Sequence, residues 1–395
     1  MASAFRPLAG LIETDLPWRE PHPKVLRQPA AHQPADSRVV FHETVHYWQQ
    51  LTQGFMAKLA EEDWLRLTAF ESGKADTGPG PWRRELVRLD PAAGFSARDL
   101  QESLARFWDV HVIGPHTLLE IEFQDPRRSF DEAFQANYFT FKKKGLIVHP
   151  LHGGYSSLAF DMAMNAAAGH YARPYQYVQQ RMNPALTGAL FPLVGHFAMQ
   201  TERPAEVFVR AIAAAAQSIG ALPPERAIHD LWSACYSRAR NATLAVAQQL
   251  GMDKLMMSPA VIQGGPLKRH PVYAWTLAEL GLVARLAEDI PLAQVVCGAF
   301  TRGPPGTRGV LTTDFCLACP GDTTSRSLLI EYLAPPCVSF ADGARWLLPE
   351  LHRRELVPEL DETEAMISRE RAEVAEAAMK IHQRWQALRR VVRGY

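Results

Sequence analysis

The sequence lacks a long uninterrupted hydrophobic run. Its apolar stretches are broken by charged residues, Gly or Pro well short of the roughly 18 residues that a membrane-spanning helix needs. The first residues also lack a basic region followed by an apolar one, which is the pattern of a signal peptide. We therefore expect a protein that stays in the cytoplasm and does not cross a membrane.

An excess of charge of either sign is also missing. Lys and Arg together number 42, and Asp and Glu together also number 42, so the formal net charge is zero. This balance gives no overall reason to expect nucleic acid or an anionic membrane as a partner. Arginines are frequent near the C-terminus, but glutamates offset them, so a solvated helix face is predicted there rather than a nucleic-acid patch.

Cysteine is scarce, with five residues in the chain. In a reducing compartment such thiols stay free or bind metal. Cys316 and Cys319 have the spacing at which two thiolates grip one zinc ion, and Cys297 and Cys337 flank them. A structural four-cysteine site, a redox pair and simple buried thiols are three interpretations that the sequence leaves open.

Apolar spacing typical of helices runs through most of the 395 residues, and we predict a mainly α protein with one principal core. Gly54 is a possible interruption of the first long helix, which can begin at Asp36 or Ser37. Four regions are predicted: an irregular N-terminal arm over 1–37, a helical metal-binding core over 38–300, a Cys-containing mixed or β-containing part over 301–350, and an amphipathic C-terminal helix over 351–395.

The segment His42-Glu43-Thr44-Val45-His46 is the pattern most informative about function. Histidines at positions i and i+4 lie on one face of a helix, so both imidazoles can reach the same metal ion. The glutamate after the first histidine can act as general base on a water bound to that ion. We therefore predict a metal site, with zinc as the first choice, His42 and His46 as ligands and Glu43 as the catalytic base.

The segment from His42 through Gln49, with Thr52 and Gly54 after it, resembles the metal-binding helix of zincin metallopeptidases. It is closest to uncharacterised bacterial proteins in which an aromatic pair and Gln follow the second histidine. The resemblance implies a metal-dependent hydrolase of the gluzincin kind. Position 52 is Thr, so the third histidine of metzincins is absent.

A catalytic zinc needs a third protein ligand and an open position for water. In gluzincin-like proteins this ligand is usually a Glu on a later helix, in a Glu-Gly/Ser-x-Ala setting. Asp161 is the counterpart favoured here, because it is a lone carboxylate in an apolar, small-residue helix and needs a partner. Other candidates are Asn165 and His170 as substitute ligands or supporting groups, and, as weaker ligands, Glu120, Glu122, His149 and His152.

A group that stabilises the transition state is expected near the metal, and Tyr155, His170 and Tyr171 are candidates by position. The function that we predict is hydrolysis of a peptide or small amide by a zinc-activated water. One alternative is a non-haem Fe(II) oxygenase, since two histidines and one carboxylate also form its metal site. The other is a helical scaffold without catalytic activity. Zincin peptidases usually bind the substrate backbone on a β-strand, and only about 40 Pro-rich residues precede His42 to supply one.

Overall fold

The computed structural model describes residues 4–15, 34–74, 78–113, 118–119, 143, 157–166, 169–182, 184–219, 228–277, 337–339, 345–346 and 362–393. Helices dominate these residues, which confirms the predicted mainly α class. No helix in them is both long and apolar enough to cross a membrane. The helices are α1 Pro34–Thr52, α2 Gly54–Glu71, α3 Pro81–Val87, α4 Ala97–Ile113, α5 Ser157–Asn165, α6 Arg173–Gln179, α7 Pro184–Ala198, α8 Pro204–Ile219, α9 Ile228–Gln249, α10 Ser258–Gly264 and α11 Glu362–Arg393.

A small sheet joins the two ends of the chain. Its strands are β1 Ala4–Arg6, β2 Leu11–Glu13, β3 Cys337–Ser339 and β4 Arg345–Trp346, and they lie in this order. β1 and β2 are antiparallel, β2 and β3 parallel, and β3 and β4 antiparallel. The residues predicted as an irregular arm therefore include two strands. Three-residue strands are too short to show alternation in sequence, and the partner of β2 lies more than 300 residues away.

The first long helix ends at Thr52, and Gly54 begins the next one, so the chain breaks where the sequence predicts an interruption. Gln53 has an extended backbone between α1 and α2, with φ −106° and ψ 115°. A Cβ atom on Gly54 would lie 2.0 Å from the carbonyl oxygen of Met256. Only glycine allows this approach, so the break is fixed by packing against the segment before α10.

One principal hydrophobic core runs through the described residues, from Phe5 of β1 to Leu388 of α11. In it, α1 packs against α4, and α7, α8 and α9 pack against one another. α1 also contacts β1 and β2, so the sheet lies beside the helix that carries the two histidines. α11 begins at Glu362, within the predicted C-terminal helical region of residues 351–395, and packs on α2 and β2.

Candidate metal centre

The site forms where one face of α1 meets one face of α4. His42 and His46 lie one turn apart on α1, and their ring centroids are 4.8 Å apart. Glu102 of α4 faces both rings: its Oε2 atom lies 3.4 Å from His42 Nε2 and 3.3 Å from His46 Nε2. In the described part of the chain, these three residues are the group whose donor atoms could share a metal ion, all within 4.8 Å of one another.

These distances suit a shared cation. In a tetrahedral zinc site with bonds of about 2.0–2.1 Å, two donor atoms are separated by roughly 3.3–3.4 Å. The two Nε2–Oε2 distances have this length. They are longer than the usual hydrogen bond between a charged nitrogen and an oxygen, which is about 2.7–2.9 Å.

The other nitrogen of each imidazole is already occupied. His42 Nδ1 lies 2.7 Å from Asp109 Oδ2, and His46 Nδ1 lies 2.8 Å from Gln49 Oε1. Gln49 donates its amide Nε2 to the carbonyl of Gln101 at 3.0 Å, so the oxygen of that amide must be the atom facing His46. A carboxylate and an amide oxygen only accept, so His42 donates from Nδ1 to Asp109, and the shorter contact of His46 Nδ1, to Gln49 Oε1, has the same direction; the amide nitrogen of Gln101 lies farther from His46 Nδ1, at 3.3 Å. Each neutral ring then presents the lone pair of Nε2 to the centre, as metal-ligating histidines do.

Electrostatics also favour a cation at this centre. Burial by itself lowers the pKa of a histidine, but here neighbouring carboxylates outweigh it. Asp109 and Glu102 raise the pKa of His42 well above 6.5, and Glu102 raises that of His46. Burial raises the pKa of Glu102, but the two histidines lower it further, so the net pKa is below its ordinary value. With neutral imidazoles, a dication supplies the same charge as the two protons it replaces.

Glu43 is buried beside the same centre. Its Oε2 atom accepts a hydrogen bond from the backbone N–H of Phe5 at 2.5 Å, which links α1 to β1. Its negative charge contributes to the raised pKa values of His42 and His46, so it lies close to both rings. The sequence predicts this residue as the base, and its position next to the cluster permits that role.

The open side of the cluster faces a cavity of about 950 Å³. His42 and Glu102 keep about a fifth of their side chains exposed, whereas Asp109 is nearly inaccessible at 3%. β1, α1, α4 and α11 all contribute to the wall. A substrate can therefore approach the donor atoms from the cavity while Asp109 stays behind the ring that it orients.

Asp161, the predicted third ligand, is not in this group. Tyr175 donates its hydroxyl to Asp161 at 2.6 Å, so the carboxylate already has a partner. Its neighbour Phe160 packs on Phe107 of α4, with ring centroids 5.2 Å apart. Phe107 follows Glu102 by five residues, about 140° around the helix, and so points away from the histidines. The geometry therefore replaces Asp161 with Glu102.

A sequence signal for Glu102 exists. Glu102-Ser103-Leu104-Ala105 has the Glu-Gly/Ser-x-Ala setting expected of a gluzincin third ligand. Asp109 lies seven residues later, two turns along the same helix face. Only four residues carry this signal, and α4 otherwise has the spacing of an ordinary amphipathic helix, so Glu102 is absent from the candidates predicted from sequence.

The remaining candidates separate into three groups. Tyr171 lines the cavity, whereas His170 is exposed and Asn165 donates to Gln179. Cys337 is a buried cysteine of β3 that forms no disulfide. The others lie outside the described residues: Glu120, Glu122, His149, His152, Tyr155, Cys297, Cys316 and Cys319.

Comparison with known proteins does not assign the chain to a family. No protein-family model, curated protein or solved structure matches the chain. Function is therefore argued from the site itself.

Proposed function

We propose that this protein is a metal-dependent hydrolase, with zinc as its metal, that cleaves a peptide or small amide bond. The observation that carries the proposal is that Glu102 Oε2 lies 3.4 Å from His42 Nε2 and 3.3 Å from His46 Nε2, beside the Glu43 carboxylate, with the donor atoms of the three ligands within 4.8 Å of one another. The Glu-Ser-Leu-Ala setting of Glu102 supports the likeness to gluzincins. A bound zinc ion would supply Lewis-acid chemistry, polarising a carbonyl and acidifying a water.

The other steps of the proposed reaction depend on side chains around the metal ligands. Asp109 and Gln49 hold the two rings in the tautomer that leaves Nε2 as the ligand atom. Glu43, oriented by Phe5 N–H, takes a proton from the attacking water and later delivers it to the amide nitrogen. Water oxygen bonds to the carbonyl carbon, the C–N bond breaks, and a carboxylate and an amine leave.

Glu43→Gln tests this assignment. Glutamine keeps an oxygen to accept from Phe5 N–H, so the local structure should survive while the proton acceptor is lost. We expect unchanged zinc content and a fall in kcat of about 10²- to 10⁴-fold on a panel of fluorogenic acyl-amide substrates. Glu373→Gln, an exposed change on α11, is the matched control and should have no effect. Equal rates for Glu43→Gln and the unaltered protein would contradict the role of Glu43.

A non-haem Fe(II) oxygenase is the second candidate, because Glu102 completes a set of two histidines and one carboxylate. Iron and zinc measured together, in protein purified without added metal, discriminate the two. Iron as the bound metal, with an O₂-dependent reaction that tolerates Glu43→Gln, would favour the oxygenase. Zinc with loss of hydrolysis in that variant would favour the hydrolase.

A further inference from the structure

The cavity beside the metal centre contains several arginines, and most of them already have partners. Arg6 pairs with Glu13 at 2.6 Å, Arg83 forms two contacts with Asp63, and Arg106 donates to the carbonyl of Ala163. Arg98 differs from these three. It is exposed and lines the cavity, and no carboxylate among the described residues lies within ion-pair distance of it.

Arg98 is also the arginine placed by helix geometry next to the metal ligands. It precedes Glu102 by four residues on α4, so the two side chains emerge on the same face, with Cβ atoms about 6 Å apart. Tyr171 lines the same cavity, close enough to Arg98 and Glu102 for both charges to act on its hydroxyl. Burial and then the negative charge of Glu102 raise the pKa of Tyr171, while Arg98 acts on it in the opposite direction. A guanidinium and a hydroxyl therefore stand together at the cavity wall near the cluster.

The sheet edge beside the site limits the kind of substrate. β1 is a three-residue strand at the edge of the described sheet. In an antiparallel strand, the backbone N–H and C=O groups of every second residue point away from the partner strand. In β1 the outward-facing N–H is that of Phe5, and it donates its hydrogen bond to the Glu43 carboxylate. A long extended peptide would need that donor to add as a further strand. The edge therefore does not offer zincin-type binding of a substrate backbone.

We propose, resting on the proposed hydrolase function, that the substrate is a short amide with a free carboxylate next to the scissile bond, bound by Arg98 with Tyr171. In an acylated amino acid the carboxylate carbon lies about one residue, roughly 4 Å, from the scissile carbonyl. One helical turn, about 5.4 Å, separates Arg98 from Glu102. Both separations are a few ångströms, so one small molecule can reach Arg98 and the metal ligands together, and a cavity of about 950 Å³ is large enough for it.

Binding of N-acetylphenylalanine and N-acetylphenylalanine amide to the zinc-loaded Glu43→Gln protein, which should not cleave either compound, is measured by calorimetry and tests the proposal. The two probes differ only in the carboxylate. We expect the acid to bind about 10- to 100-fold more tightly than the amide, the range of one charge-assisted hydrogen bond. Arg98→Gln should abolish this preference, Arg98→Lys should retain part of it, and Arg210→Gln on α8 should retain all of it.

Two results would overturn the proposal: equal binding of acid and amide to the Glu43→Gln protein, or an undiminished preference for the acid when Arg98→Gln is added to it. Neither result affects the hydrolase assignment, which depends on zinc content and on hydrolysis by the unaltered protein. Conversely, loss of the acid preference with Arg98→Gln, together with no hydrolysis of any panel substrate by the unaltered protein, would support the carboxylate site and refute the hydrolase. Because Arg98 is exposed, its substitution should leave the fold intact, as circular dichroism can verify.

Discussion

Replacing Glu102 by Gln is the most direct test of the metal centre. The change keeps the shape of the side chain and removes the anionic oxygen that lies 3.3 and 3.4 Å from the two Nε2 atoms. Asp161→Asn is the matched control, since the amide can still accept the hydrogen bond from Tyr175. The pair of variants compares the carboxylate that the geometry selects with the one that the sequence favoured.

The expected magnitude follows from the number of ligands. Structural zinc sites with four protein ligands bind with about 10–16 kcal/mol, or roughly 2.5–4 kcal/mol for each ligand. Loss of the Glu102 carboxylate should therefore weaken zinc binding by about 10² to 10³-fold. Asp161→Asn should leave the affinity unchanged, because Asp161 faces Tyr175 rather than the histidines.

Competition with a chromogenic chelator at fixed pH gives both dissociation constants. Fixed pH matters because Glu102 also raises the pKa of His42 and His46, so its removal alters proton competition as well as ligation. Thermal unfolding of the metal-free variants checks that each is folded. Unchanged zinc affinity in Glu102→Gln, or an equal loss in Asp161→Asn, would refute the assignment of Glu102.

Two further predictions concern the groups around the ligands. Asp109→Asn should weaken zinc binding by about 10- to 100-fold, because the amide orients His42 less firmly, and a chelator titration against the unaltered protein measures this. Zinc affinity should rise with pH above 6.5, because the raised pKa values of His42 and His46 keep both protonated without metal, and binding must displace those protons. The rise should be about tenfold per pH unit for each proton released, until the pH passes the raised pKa values; a flat profile between pH 6.5 and 8 would contradict it.

Helical periodicity and the HExxH spacing were sufficient to predict the mainly α class and to put both histidines on one helix face. Such features depend on residues within one or two turns, where backbone geometry fixes side-chain direction. Gly54 was likewise predicted to interrupt the first helix, since glycine disfavours a helix interior. The close approach of Met256 that enforces the break cannot be read from local sequence.

The third donor shows the limit of local reasoning. Asp161 and Glu102 are both acidic residues on helices with apolar neighbours, and only the short Glu-Ser-Leu-Ala setting of Glu102 distinguishes them in sequence. The difference lies in which face of α4 meets α1. Phe107 directs α5 to one side of that helix, and Glu102 and Asp109 occupy the other.

By itself, then, the sequence determined two imidazoles and an acidic residue on one helical turn, because a period of 3.6 residues links spacing to direction. Tertiary structure decided which distant carboxylate faces them, which side chains hold their Nδ1 atoms, and that β1 contacts Glu43. Those choices depend on how helix faces and chain ends pack over separations of tens to hundreds of residues, where no periodic rule connects position to contact.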